Sequence, residues 1–253
     1  MKRKYGLIGY PLAHSYSKDY FNQKFKSEGI DAEYVNFEIK DVREMKFVLK
    51  ENPDLCGLNV TLPYKMSVIP LLDSITNNAR NIGAVNVIKF KRGGLFGKLL
   101  LEGHNSDITG FKQSIEPLLN DTHQKALILG TGGASKAIYH GLLQLGITST
   151  FVARTKEKDI QCITYEEVSP QTIQEHTVIV HSTPLGMYPN TDVCVNIPYQ
   201  YITPHHILYD LLYNPDETLF MKKGKEQGAT VKNGLEMLLL QAFISWQIWT
   251  DSP

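Results

Sequence analysis

Apolar positions in the first hundred or so residues fall into short runs separated by amphipathic stretches. Runs of strand length occupy 5–9 (YGLIG), 33–39 (EYVNFEI) and 55–62 (LCGLNVTL), with helical patterns between the first two and again around 41–50. The stretch 63–73, PYKMSVIPLLD, predicts a helix opening on Pro63, where a missing N–H is harmless. AVNVIKF and LFGKLLL then flank KRGG, a hairpin signal. Beyond GHNSDITGF (103–111) the strands become continuously apolar, as strands buried on both faces of a parallel sheet are. KALILG (125–130), TSTFVAR (148–154), TVIVHST (177–183) and HILYDLL (206–212) are of this kind, and a helical pattern over 131–146 follows the first. Repeated βα units of this type imply a doubly wound sheet. The last stretch, 233–250, carries helical periodicity through Leu235, Leu238, Leu239, Ala242, Trp246 and Trp249. The expected fold class is therefore α/β in two domains, divided near residue 105.

Composition narrows the classes of function. Of 253 residues 42% are hydrophobic, so a packed globular chain is expected. Lys+Arg and Asp+Glu both number 26, which argues against a general nucleic-acid binder and its excess of basic charge. The three cysteines, Cys56, Cys162 and Cys194, are far apart and show no metal-ligand spacing, which fits reduced cytosolic thiols. The opening MKRKYGLIGYP has too short an apolar run for a signal peptide, and no run approaches the ~20 apolar residues of a bilayer span. A soluble cytoplasmic protein is expected, with monomer and homodimer both open.

LILGTGGASKAI reads as strand, glycine-rich turn and helix. Gly130, Gly132 and Gly133 would let the backbone pass close to a diphosphate, with free N–H groups at the helix start, while Ala134 allows close helix–sheet approach. The spacing is not a strict G-x-G-x-x-G, and a plain tight βα turn is the competing explanation; the preceding buried strand favours a dinucleotide. The next strand ends in Arg154 and Thr155, where an NAD site usually has an acid for the ribose 2′-hydroxyl. A guanidinium with a hydroxyl beside it suits a 2′-phosphate, so NADP is favoured over NAD, although a solvated basic loop would look the same.

At the end of a predicted strand, GLNVTLPYK places Asn59, Thr61 and Lys65. Strand ends are where open α/β sheets put ligands. Alone, Lys65 would pass as a surface lysine and Asp107 as the N-cap of the next helix. Taken together and in order, GYPLAHSYS, LNVTLPYK, GAVNV, GHNSDITGF, LGTGGASKA, HSTPLGM, YDLLYNP and NGLEMLLLQA closely resemble the shikimate dehydrogenase family, from about Lys4 to Trp249.

That resemblance implies an N-terminal α/β substrate-binding domain (1–105 plus 233–253, the terminal helix returning to it) and a Rossmann-like NADP-binding domain (106–232), with the active site in the cleft between them. It implies NADPH-dependent reduction of 3-dehydroshikimate to shikimate. Lys65 and Asp107 match the catalytic pair: a protonated Lys65 would stabilise charge on the carbonyl oxygen and can give the proton, while Asp107 would orient the lysine and hydrogen-bond the reacting hydroxyl, proton transfer by either being open. Ser15 and Ser17 match the pair that binds the substrate carboxylate. Asn59, Thr61, Asn86 and Gln241 match residues that hold ring hydroxyls, and Tyr213 a tyrosine lining the pocket. Gly130, Gly132, Gly133 and Ala134 match the diphosphate loop, and Arg154 with Thr155 the 2′-phosphate clamp. Thr183, Met187, Gly234 and Met237 match positions beside the cofactor, simple packing being equally good for Met237. No metal is implied.

The chain departs from the family pattern in places. Lys18 replaces a proline, Val87 and Ser106 replace threonines, Ala153 replaces an asparagine, and His181-Ser182 stand where Asn-Ala is common. The resemblance gives His14 and His181 no catalytic role, so hydrogen-bonded structural histidines are expected there. His205 and His206 cannot share one strand face, which argues against a metal site. Two further readings compete: a paralogue oxidising quinate or a related cyclohexane polyol with NAD, and a catalytically silent nucleotide-binding regulator. Arg154 argues against the first, and the presence of Lys65 and Asp107 against the second.

Overall fold

Tyr5 to Gly9 are buried without interruption, so the first strand is covered on both faces. The structure, a computed structural model, describes residues 2–12, 16–93, 98–156 and 161–251. Its contacts divide the chain into two units, 1–106 with 242–253, and 107–241.

In the first unit the elements are β1 (Arg3–Gly9), α1 (Tyr16–Ser27), β2 (Ala32–Glu38), α2 (Met45–Glu51), β3 (Leu55–Val60), β4 (Ser74–Ile75), α3 (Asn77–Ile82), β5 (Val87–Arg92) and β6 (Leu99–His104). They form a six-stranded sheet of order β2-β1-β3-β5-β6-β4. β1 runs parallel to β2 and β3, whereas β5 is antiparallel to β3 and β6. The expected hairpin is β5–β6, in register from Val87↔His104 to Arg92↔Leu99; its turn at 94–97 lies outside the described residues.

Alternation along the strands builds two cores. Tyr5, Leu7 and Val87 join Phe21, Phe25, Tyr34, Ala242 and Trp249 on one face, and Ile8, Leu58, Val60 and Ile88 join Met45, Val48 and Tyr64 on the other. Phe21 and Phe25 meet that core one helical turn apart on α1. The Trp249 ring stacks on Tyr5 with centroids 4.9 Å apart, and its Nε1–H donates to the Ile88 carbonyl at 3.1 Å.

The helix expected over 63–73 does not form. The chain instead makes tight turns up to Val68 and a short 3₁₀ turn at Ile69–Leu71. Pro70 explains the difference, because in a helix interior it removes a hydrogen bond and collides with the carbonyl four residues earlier.

The second unit contains α4 (Asp107–Ile115), β7 (Lys125–Leu129), α5 (Gly133–Gln144), β8 (Thr148–Ala153), β9 (Cys162–Thr164), α6 (Pro170–Glu175), β10 (Val178–His181), β11 (Ile207–Asp210), α7 (Leu219–Glu226), β12 (Thr230–Lys232) and the start of α8 (Leu235–Thr250). Its strands are all parallel, in the order β12-β11-β10-β7-β8-β9. The chain therefore starts in the middle, builds outward to β9, returns beside β7 with β10, and builds the other way. This is the Rossmann order, with a topological switch point between β7 and β10. Successive β7 residues feed opposite cores: Leu127 and Leu129 one, Ala126 and Ile128 the other. The edge strands β9 and β12 are three residues each, too short for a periodicity in sequence.

Removing the indole with Trp249→Ala is expected to cost ~3–5 kcal/mol, through the lost packing and the lost hydrogen bond to the Ile88 carbonyl. Urea unfolding followed by circular dichroism measures it.

Candidate active site

In the first unit, polar side chains gather where β3 ends and β5 begins. Asn59 stands opposite Val87 in the β3–β5 register, and the Val60 N–H donates to the Asn86 carbonyl at 2.9 Å. The following loop is held at both ends. The Thr61 N–H donates to Ile8, Tyr64 is buried with its hydroxyl donating to the Ile39 carbonyl at 2.6 Å, and the Lys65 carbonyl accepts from Val85 at 2.7 Å. Lys65 is thus half-buried on a pinned turn beside Asn86, rather than on the flexible end of a helix. The Tyr10 N–H donates to the Leu62 carbonyl at 3.1 Å, tying the segment before α1 to the same loop. Ser17 is half-buried in the first turn of α1; Ser15, and His14 with it, lie outside the described residues.

Beneath this group runs a buried hydrogen-bond network. Burial pushes the Tyr34 phenol well above its ordinary range, and its hydroxyl donates to Asn59 Oδ1 at 2.8 Å. Asn59 Nδ2 donates to Ser245 Oγ at 2.9 Å and to the Asn86 carbonyl at 3.2 Å. Ser245 Oγ is 3.4 Å from Ser106 Oγ, which accepts from Asn86 Nδ2 at 3.0 Å, while the Ser106 N–H donates to Asn86 Oδ1 at 2.7 Å. Both N–H groups of Asn59 are thereby engaged by protein, leaving only Oδ1 with spare acceptor capacity. The amides at 59 and 86 are held in single orientations. Tyr34 and Ser245 were not singled out in the sequence; a serine inside the apolar stripe of a helix is the signal that could have marked the second.

Asp107 lies inside the first turn of α4, one position further into the helix than an N-cap, and is 2% exposed. One turn on, a Cβ at Gly110 would stand 3.0 Å from the Met237 carbonyl and 3.1 Å from the Gln241 N. Glycine at 110 therefore lets the α4 and α8 backbones touch, which brings the helix carrying Asp107 against Gln241. Nothing in the local pattern singles out Gly110. Met237 is 6% exposed in the core with Phe111 and Ile115, a packing position. The Gly234 N–H donates to the Leu212 carbonyl at 2.9 Å, just after β11 and next to the half-buried Tyr213.

At the switch point of the second unit, Gly130 has φ +117°, and a Cβ there would lie 3.0 Å from both Ser182 Oγ and Thr183 Cγ2. Ser182 Oγ donates to the Leu129 carbonyl and lies 2.8 Å from Ser135 Oγ, fastening the ends of β7 and β10 together. α5 starts after Gly132 without a side-chain cap, and a Cβ at Gly132 would meet nothing within 4 Å. Gly133 and Ala134 form its first turn. An uncapped helix start with open space above it fits the diphosphate of a dinucleotide. Arg154 and Thr155 are exposed at the tip of β8. The neighbouring Lys156 is 2.7 Å from Glu167 and holds that carboxyl below its ordinary range. Thr183 is half-buried at the tip of β10, and Met187 is 47% exposed in the loop beyond it. His181 is hydrogen-bonded to Asp210 and Thr183, as a structural histidine would be. His206 contacts Thr203 and the Ile173 carbonyl, and among the described residues no group of three or more His, Cys, Asp or Glu is placed to hold a metal.

A parallel sheet of Rossmann order, with a glycine loop at its switch point and a second α/β unit rich in ordered amides, defines a dinucleotide-dependent α/β protein. Comparison with known proteins makes this specific. The family model for the shikimate dehydrogenase substrate binding domain matches residues 7–88. The NADP(+) shikimate dehydrogenase of Methanosphaera stadtmanae is 36% identical, over 97% of this chain and 90% of its own length. The crystal structure of shikimate dehydrogenase from Aquifex aeolicus superposes with a TM-score of 0.85 at 33% identity, covering 99% of this chain and 93% of that one. The Thermus thermophilus shikimate 5-dehydrogenase, solved in complex with NADP(H) and shikimate, gives a TM-score of 0.84 at 26% identity, over 98% and 94% of the two chains. The chain belongs to the shikimate dehydrogenase family. No helix among the described residues is long and apolar enough to cross a membrane.

The two loop glycines are expected to separate experimentally. Gly130→Ala should lower stability by ~1–2 kcal/mol or more, since the new methyl is both crowded and at positive φ. Gly132→Ala should leave stability within ~0.5 kcal/mol yet weaken NADPH binding, because its methyl enters the open space over the helix start. Thermal melts and fluorescence titration with NADPH distinguish the pair.

Proposed function

We propose that this protein reduces 3-dehydroshikimate to shikimate reversibly, with NADPH as cofactor. One observation carries the reading: identity of 33–38% over nearly the full chain to enzymes named for that reaction, in a chain that keeps both Lys65 and Asp107. When bound, NADPH supplies the hydride. The chain's residues must bind the ring, place the carbonyl and supply a proton.

For Lys65 the support is its motif and its pinned turn, which fixes the Lys65 backbone at the amide-rich end of β3. As hydride reaches the carbonyl carbon, negative charge grows on the oxygen; the Lys65 ammonium stabilises it and gives its proton. In the reverse direction a neutral Lys65 takes the proton back. Asp107 is assigned to hold the reacting hydroxyl, on the strength of its GHNSD motif. The carboxylate is assigned to Ser15 and Ser17. Asn59 Oδ1, Thr61, Asn86 and Gln241 are assigned to the ring hydroxyls, and Tyr213 to the pocket wall; the network under Asn59 and Asn86 supports the fixed orientation such contacts need.

On the cofactor, the Gly130–Ala134 loop takes the diphosphate, and Arg154 with Thr155 the 2′-phosphate. Since Lys156 is drawn to Glu167, Arg154 is the better candidate for that clamp. Thr183, Met187 and Gly234 are assigned to the nicotinamide side, with Met237 supporting them from the core. The odd number and wide spacing of the three cysteines support a reducing, cytoplasmic setting.

Initial rates with shikimate and quinate, each with NADP and NAD, test the reading: activity confined to shikimate with NADP is expected, and comparable rates with quinate or NAD would contradict it. Lys65→Ala should lower kcat by ~10²–10⁴ with little change in KM. Arg154→Ala should reduce the preference for NADP over NAD by ~10-fold or more, read from the ratio of kcat/KM values.

A further inference from the structure

The second unit buries a connected set of polar side chains that the reduction itself does not use. Asp210, the last residue of β11, is fully buried; its Oδ1 accepts from the Leu212 N–H at 2.9 Å, and its Oδ2 from the Thr218 hydroxyl at 2.6 Å. On the adjacent strand, paired with it in register, stands His181, also fully buried, with Nδ1 3.0 Å from Asp210 Oδ1 and its ring 5.2 Å from that of Phe220. The other ring nitrogen, Nε2, is 2.5 Å from Thr183 Oγ1. Thr183 Oγ1 also accepts from the Leu185 N–H at 3.3 Å. The set thus leads from the buried carboxylate at the end of β11 to a half-buried hydroxyl at the switch point.

The Asp210 carboxylate fixes the direction of the first bond. A carboxylate only accepts, so the proton lies on Nδ1 of His181. With that single proton on the ring, Nε2 is an acceptor, and the Thr183 hydroxyl spends its hydrogen on it. A freely rotating threonine could offer a ligand either a hydrogen or a lone pair; this one offers a lone pair. Position decides which part of a dinucleotide meets it. The glycine loop after β7 takes the diphosphate and the tip of β8 takes the adenosine, so the β10 side of the switch point faces the other mononucleotide. Donors on that half are the carboxamide N–H groups and the ribose hydroxyls.

We propose that His181, held by Asp210, is a positioning residue that makes the Thr183 hydroxyl an obligate acceptor for a hydrogen-bond donor on the nicotinamide riboside half of NADPH. The inference rests on the cofactor placement given above, and its test keeps the two apart. Binding of NADPH and of adenosine 2′,5′-bisphosphate, which lacks the nicotinamide half, is measured by titration for the full chain and its variants. Thr183→Val and His181→Phe are each expected to weaken NADPH ~3–10-fold, the loss of about one hydrogen bond, and to leave the bisphosphate unchanged. Thr183→Ser should bind NADPH as the parent does. Adding His181→Phe to Thr183→Val should cost nothing further, since the histidine acts only through that hydroxyl. Unchanged NADPH affinity in Thr183→Val, additive losses in the double variant, or equal weakening of both ligands would overturn the proposal. Failure of the parent protein to bind the bisphosphate would instead remove the cofactor placement, and the proposal with it. ¹⁵N-histidine NMR of the unmutated chain supplies a check that does not depend on His181→Phe folding: His181 should carry its proton on Nδ1, and a proton on Nε2 would refute the arrangement.

Discussion

Parallel strands end on the same edge of a sheet, and every carboxyl end must hand its chain to a loop on that side. In the second unit this constraint gathers the glycine loop after β7, Arg154 after β8, Thr183 after β10 and Tyr213 after β11 along one edge. In the first unit the parallel pair β1 and β3 does the same for Tyr10 and for the loop from Thr61 to Lys65. β5 enters beside β3 from the opposite direction, so Asn86 arrives at that edge as a strand start. The strands inside are apolar and can be exchanged for other apolar residues of similar volume. The loops carry the chemistry, and they need only keep their anchors.

Those anchors are mostly hydrogen bonds made by groups that have no part in the reaction. Tyr64 and the Val85 N–H hold the Lys65 turn, Ser182 and Ser135 hold the switch point, and Tyr34 and Ser245 hold Asn59. Each is buried or nearly so, where an alternative geometry would leave a polar atom without water or partner. Rigidity at the site therefore follows from the cost of breaking these bonds rather than from the loops themselves.

The central strands and the long helices could be read from the chain because their periods are set by burial on one or both faces. The parallel class of the second sheet was readable for the same reason: β7, β10 and β11 are apolar without alternation. The stretch 63–73 departs from the helix its pattern predicts because the apolar residues of a turn anchored by Tyr64 and Val68 mimic a helical stripe, while Pro70 bars the helix itself. The motif residues were legible through resemblance, not through periodicity. Gly110, Tyr34 and Ser245 were not, since each matters through a contact with a residue distant in sequence. His181 was expected to be structural, and the identity of its two partners came only from the neighbouring strand and the loop after its own.

The bond from Asn59 to Ser245 spans 186 positions in the sequence, and that distance has a meaning in time. A chain emerging from the ribosome makes β1 to β6 before the second unit, yet the buried amide at the heart of that sheet, and the face under Tyr5 and Phe21, wait for a helix made after it. The second unit lies wholly between these two segments and has its own cores to close on. Among the described residues, its two cores draw on none beyond Met237. The order of birth is thus the reverse of the order of completion: the half of the protein begun first is finished last, holding an open apolar face throughout the synthesis of the other.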